Sequence, residues 1–273
     1  MNRLLHAEIR RMRKDKIFWT AVLFIAGWCL FVYISQYFNM KNLGEKYKLD
    51  ALFFNFMTWI GIVMAVFIGL FQGTEYGDGT IRNKLIIGLP RSDVYGGGFL
   101  VCSAGGCLIL AGAYLTGAIV GLPLFGTMEM TAEQFLKNTG IAVCLMISYS
   151  AVYHMISLLS GSKVRAAVLC ILVGFGFLFL SIYIFSELAQ PEMIQQYVQT
   201  SGKSITEWVK NPAYVDGTKR RIYEWLLDVI PTGQAMQMTS SAHRWIRMTV
   251  CSLGTAVVCS YVGIVCFRRK NIK

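Results

Sequence analysis

Six long apolar runs dominate the chain, each free of Asp, Glu, Lys and Arg: residues 17–40, 51–74, 94–128, 138–162, 166–186 and 248–267. The shortest holds 20 residues, and about 20 are needed to carry a helix across a hydrocarbon core some 30 Å thick. Lipid offers the backbone no hydrogen-bond partner, so each run must satisfy its own N–H and C=O groups as a helix. The pattern predicts an all-α integral membrane protein with six transmembrane helices, at 17–38, 51–73, 94–125, 138–160, 166–186 and 247–267. The first run is too long for a cleavable leader and has no small-residue cleavage site, so it is expected as the first span.

Three segments between the runs carry patterns of their own. Residues 1–16 place Leu5, Ile9 and Met12 at helical spacing beside Leu4, with Arg3, Arg10, Arg11, Arg13 and Lys14 around them. That is the pattern of an amphipathic interfacial helix lying in the headgroup plane, or of a basic tail that only sets topology. Residues 78–90 form a short helix between two stops. Gly77 and Gly79 break the preceding span, and Asp78 or Thr80 is expected to cap the new helix. Gly88 and Pro90 end it, and Ser92 is expected to cap the third span. Ile81 and Leu85, with Ile86, make its apolar stripe, and Arg82 and Lys84 are expected to be exposed. The third segment, 187–245, is cut by Pro191, Gly202, Pro212, Gly217, Pro231 and Gly233. Within it residues 218–230 read as a helix with Ile222, Trp225, Leu226 and Val229 on one face. The segment is too small to stand alone and should lean on the ends of the spans.

Charge then sets the orientation. Only 15% of the residues are charged and 55% are hydrophobic, yet the net charge is +11. With the start inside, fifteen Lys/Arg fall in the cytoplasmic segments 1–16, 75–93, 163–165 and 268–273. The short outer loops hold four: Lys41, Lys46, Lys48 and Lys137. Long translocated segments such as 187–247 weigh little, so both termini are expected to be cytoplasmic and 187–245 outside. The positive balance is a topology signal with attraction to anionic lipid, not a nucleic-acid footprint, because the basic residues are split among membrane-edge clusters. The eight cysteines all lie in the apolar runs and show no metal-ligand spacing. They read as small apolar packing residues.

One span carries a further signal. Gly61, Ala65, Gly69, Gly73 and Gly77 recur every fourth residue, lining one helix face where another backbone can approach. The neighbour can be internal or on another subunit. No apolar run contains a fixed charge of the kind that ion-coupled carriers place at mid-membrane. His154 is the one imidazole in a span and reads as a hydrogen-bonded packing residue. The triplet Gly202-Lys203-Ser204 lacks the first glycine of a phosphate-binding loop, since Tyr197 stands there. The chain is therefore not expected to be an enzyme by itself.

A transporter-like chain with no power source of its own resembles the membrane subunits of ABC-2 type transporters. The resemblance rests on the basic start leading into Lys16-Ile17-Phe18-Trp19, then Glu75-Tyr76 and Gly79-Thr80-Ile81-Arg82-Asn83-Lys84, with Arg91 after them. Pro231-Thr232-Gly233-Gln234 and Phe267-Arg268-Arg269-Lys270-Asn271-Ile272 complete it. It implies a permease subunit in a bacterial cytoplasmic membrane, paired with a second copy or a sister permease. Two cytoplasmic ATPase subunits would bind ATP and Mg, leaving no cofactor in this chain. The ATPase-docking residues would be Thr80, Ile81, Arg82, Lys84, Leu85 and Leu89. It also implies export of a peptide antibiotic or lantibiotic, a drug or another amphipathic cargo. The alternative is a non-transporting membrane sensor or an anchor for a cytoplasmic complex.

Overall fold

A computed structural model describes residues 2–44, 47–200, 203–239 and 244–270. Lys46, Gly202, Asn271, Ile272 and Lys273, named above, lie outside the described residues. The described residues are nearly all helical, and six helices among them are long and apolar enough to cross a membrane. A basic helix α1 (Asn2–Lys14) leads into α2 (Lys16–Leu43), and the two are separated at Asp15. Asp15 is the N-cap of α2, accepting the Ile17 N–H at 2.8 Å. A short α3 (Leu49–Phe53) precedes α4 (Met57–Gly77), and α5 (Thr80–Ile86) follows it.

The third span is a composite. Helix α6 (Arg91–Thr116) passes through a π-turn at Gly117–Gly121 into α7 (Leu122–Phe125), where Pro123 in the first turn donates no N–H. Helix α8 (Ala132–Ser160) begins ahead of the apolar run, because Thr131 and Gln134 form a capping box that fixes its start in polar sequence. Helix α9 (Lys163–Leu188) follows after Gly161, whose φ of 74° ends α8. Helices α10 (Gly217–Val229), α11 (Pro231–Gln237) and α12 (Trp245–Arg269) close the chain.

One element departs from the all-helical expectation. Residues 193–210 form an antiparallel hairpin of β1 (Met193–Thr200) and β2 (Lys203–Lys210), running from Met193↔Lys210 to Thr200↔Lys203. Its signal was present as β-branched and aromatic residues on both sides of Ser201-Gly202. The segment after it leans on the spans. Pro231, Thr232, Gly233, Gln234 and Ala235 of α11 are all buried. Gln234 accepts the Ser252 hydroxyl at 2.6 Å, and Arg247 pairs with buried Asp228 at 2.9 Å. On α10 the buried residues are Leu227 and Asp228, while Ile222 and Trp225 are exposed.

The core is built on α4 and α8. Helix α4 packs most against α9, and α8 most against α12. The small-residue ladder of α4 faces a neighbour within the same chain. A Cβ added at Gly69 would stand 3.0 Å from the Cys170 Cβ and 3.2 Å from the Ala167 Cα; one at Gly73 would stand 3.1 Å from the Lys163 carbonyl oxygen. Ala65 meets Gly174 of α9, while Gly61 lies under the Tyr149 ring of α8 and Gly77 beside the Lys163 side chain. Dispersion between closely approaching backbones is the attraction available to helices in lipid.

Candidate functional site at the α5 end of the bundle

Of the sequence features that carried the resemblance, the basic start, the Glu75–Lys84 stretch, Arg91 and the Phe267–Lys270 end meet at one end of the molecule, while Pro231–Gln234 lies in α11 beside the start of α12. Helix α5 starts at Gly79, whose φ of 66° suits glycine. Neither Asp78 nor Thr80 caps the helix: Gly79 occupies that position without a side-chain bond, and the Thr80 hydroxyl donates to the Glu75 carbonyl at 3.1 Å. The helix ends at Ile86, with Gly88 (φ 86°) and Pro90 after it, so Leu89 lies beyond the helix. Pro90 is also the N-cap residue of α6, and Ser92 instead meets the Asp93 carboxylate.

Two faces of α5 do different things. Ile81 is buried against Val94, Tyr95, Leu158 and Phe267, with Leu85 and Leu89 packed on the same cluster. Lys84, expected to be exposed, turns inward and ion-pairs with Glu75 at 2.9 Å and with Glu8. Arg82, Asn83, Ile86 and Ile87 point away from the bundle, the two isoleucines 70% and 77% exposed. The apolar residues this end presents outward are Ile86 and Ile87, while Ile81 is buried in the subunit and Leu85 is half-buried against the same cluster.

Glu8 and Arg11 of α1 complete the site, and the sequence reading missed both. Arg11 pairs with Glu75 at 2.6 Å and with Glu8 at 3.1 Å, and its guanidinium lies 4.0 Å over the Phe71 ring. Two acids and two bases thus form a closed, neutral quartet joining α1, the end of α4 and α5. Glu8 and Glu75 are only 3% and 2% exposed. The buried face of α1 includes Glu8 and Met12, while Ile9 is exposed. The signal was that Glu8 is the sole acid in the first fourteen residues and lies one turn before Met12.

A second clasp ties the helix ends together. Lys270 donates to the Leu158 carbonyl at 2.9 Å and the Leu159 carbonyl at 3.0 Å, satisfying the open end of α8. Burial, then the nearby Arg165 charge, push its ammonium below the ordinary lysine range. The Tyr76 hydroxyl also bonds the Leu158 carbonyl. Arg91 in turn donates to the carbonyls of Phe267, Arg268 and Lys270, closing the end of α12. Deeper in the bundle Gln72 donates to the Cys102 sulfur at 3.2 Å, and the His154 ring bonds the Tyr95 carbonyl at 3.0 Å. His154 is fully buried, as a packing histidine would be. Among the described residues no three His, Cys, Asp or Glu side chains gather where they could hold a metal ion.

Among the described residues, six apolar helices long enough to cross a membrane, braced at one end around a short helix with an exposed apolar tip, are the architecture of a multi-pass membrane protein. The family model described as ABC-2 family transporter protein matches residues 4–197, and the chain belongs to that family. The match runs from α1 into the first strand of the hairpin and includes all four members of the charged quartet. No curated protein matches the chain.

Proposed function

We propose that the chain is the permease subunit of an ATP-driven exporter, with α5 as the element that docks on a separate cytoplasmic ATPase. The exposed Ile86–Ile87 tip carries this reading. Seven residues are too few to hold a helix alone in water; here the fold braces the helix from inside and leaves an apolar pair outward. Such a projection fits a groove on a partner, with Arg82 at the rim to meet acidic groups. Two ATPases would bind a pair of permeases, either two copies of this chain or one with a sister subunit. The cargo would be amphipathic, such as a peptide antibiotic or a drug, as the family resemblance implies.

The double substitution Ile86→Asp with Ile87→Asp should leave membrane insertion intact and abolish co-purification of the ATPase. Truncating a central apolar anchor costs about 2 kcal/mol or more, roughly thirtyfold in affinity. Arg82→Gln should give a milder, salt-dependent loss, as rim charges do. Undiminished co-purification and transport in the double aspartate variant would show that this tip meets no partner.

The same reading requires α5 to face the cytoplasm. In a background without the native cysteines, single cysteines at Asn42 and Thr218, both exposed, should react in intact cells with an impermeant thiol reagent. A cysteine at Asn83 should react only after the membrane is opened. Labelling of position 83 in sealed cells reverses the orientation and removes α5 from any cytoplasmic partner.

A further inference from the structure

The face of α1 turned away from the bundle is basic and carries no acid. Arg3, His6, Arg10, Arg13 and Lys14 are exposed there with Ile9 among them, on one continuous open surface. The two nearby acids are engaged elsewhere: Glu8 points inward to Arg11 and Lys84, and Asp15 caps α2. Among the described residues no ion pair reaches Arg3, Arg10, Arg13 or Lys14. A surface of this charge, left uncompensated by the protein, is complementary to an anion.

The depth of the patch identifies which anion. Trp19, in the first turn of α2, is 51% exposed, and its indole N–H donates to the Arg13 carbonyl at 2.9 Å. From that ring onward α2 exposes Leu23, Phe24, Leu30, Phe31 and Ile34. Tryptophan at the head of a lipid-facing apolar stripe marks the level of the headgroups. The basic side chains of α1 therefore stand at the phosphate plane, and Ile9 beside them reaches the acyl boundary.

We infer that the outer face of α1 is a binding site for anionic phospholipid headgroups of the adjoining leaflet. Arg10 and Arg13 supply planar donors to phosphate oxygens, and Lys14 supplies a point charge. The opposite face of α1 is joined to α5 through the Glu8–Lys84 pair, so a bound headgroup also steadies the element on which α5 is braced. The site stands whether or not α5 meets an ATPase, and the test uses this chain alone.

The detergent-purified chain is titrated with fluorescent phosphatidylglycerol and, in parallel, with fluorescent phosphatidylcholine. Each basic residue at an anionic surface contributes on the order of fivefold in affinity. Phosphatidylglycerol should therefore bind more tightly by roughly a hundredfold, and R10Q/R13Q/K14Q should lose most of that preference. The R10K/R13K variant, which keeps the charge, should retain most of it, which separates lost charge from lost folding. Millimolar inorganic phosphate should not displace the lipid. Equal binding of the two lipids overturns the inference, as does undiminished phosphatidylglycerol affinity in the triple variant. Displacement by inorganic phosphate also overturns it, because the site would then belong to a soluble anion.

Discussion

Gly69→Leu is expected to destabilise the protein by about 1–3 kcal/mol, while Gly27→Leu leaves it close to the parent. Both glycines lie inside membrane-spanning helices, and both substitutions add the same four carbons, so composition and hydropathy change equally. Only their surroundings differ. A Cβ at Gly69 already stands 3.0 Å from the Cys170 Cβ, 3.2 Å from the Ala167 Cα and 3.3 Å from the Ala166 carbonyl oxygen. Two of those three atoms are backbone and cannot swing aside, so a leucine there must push α9 off α4. A Cβ at Gly27 meets nothing within 4 Å. Thermal unfolding of the two purified variants in the same detergent checks the contrast. Equal transitions for the two would show that the α4–α9 approach does not hold the bundle together. The same substitution also separates packing from flexibility: a hinge glycine replaced by leucine would change transport while leaving stability alone.

That ladder illustrates what a sequence can carry. Spacing alone named the face of α4 that admits a close neighbour, because small residues four apart have one geometric consequence in any helix. It did not name the neighbour, which lies about a hundred positions away, although the facing residues Ala166, Cys170 and Gly174 are themselves small and four apart, a matching period that was passed over. The six spans were legible for the same local reason: the hydrocarbon imposes a length and excludes charge, and both can be counted. The hairpin at 193–210 was passed over because Pro and Gly were read only as interruptions, although the residues between them favour strands. At the α5 end the short helix and its stops were visible, but the side each residue faces was not. Ile81 and Leu85 looked like a docking stripe because nothing in the sequence shows that Tyr95, Leu158 and Phe267 already cover Ile81. Lys84 looked solvated because its partners come from α1, seventy-six residues earlier, and from Glu75 at the end of α4. A buried charge is the property hardest to read from a pattern, since it depends on a partner that the pattern does not contain.

Glu75→Ala should be the most damaging substitution at the α5 end, costing about 3–5 kcal/mol. The carboxylate is nearly inaccessible and accepts from Arg11 at 2.6 Å and Lys84 at 2.9 Å. Removing it leaves two cations sharing Glu8 alone, so a charge that was balanced becomes uncompensated, and only the outer part of Arg11 and Lys84 can turn to water. The loss should appear as a fall in the thermal transition on the order of 10 °C. Arg11→Met should cost a similar amount alone, because it strands the two carboxylates on Lys84. Combined, the two substitutions should cost less than their sum, with a coupling of about 2 kcal/mol, since each removes the charge that the other left unpaired. Replacing all four members with apolar residues of similar volume should recover much of the stability, as buried ion pairs seldom outperform good packing. Loss of α5 docking in that stable, charge-free variant would then identify the quartet as a device for positioning α5. Simple additivity of Glu75→Ala and Arg11→Met would instead mean that the pair is not coupled, and that α1 is held to α4 and α5 by its apolar contacts alone.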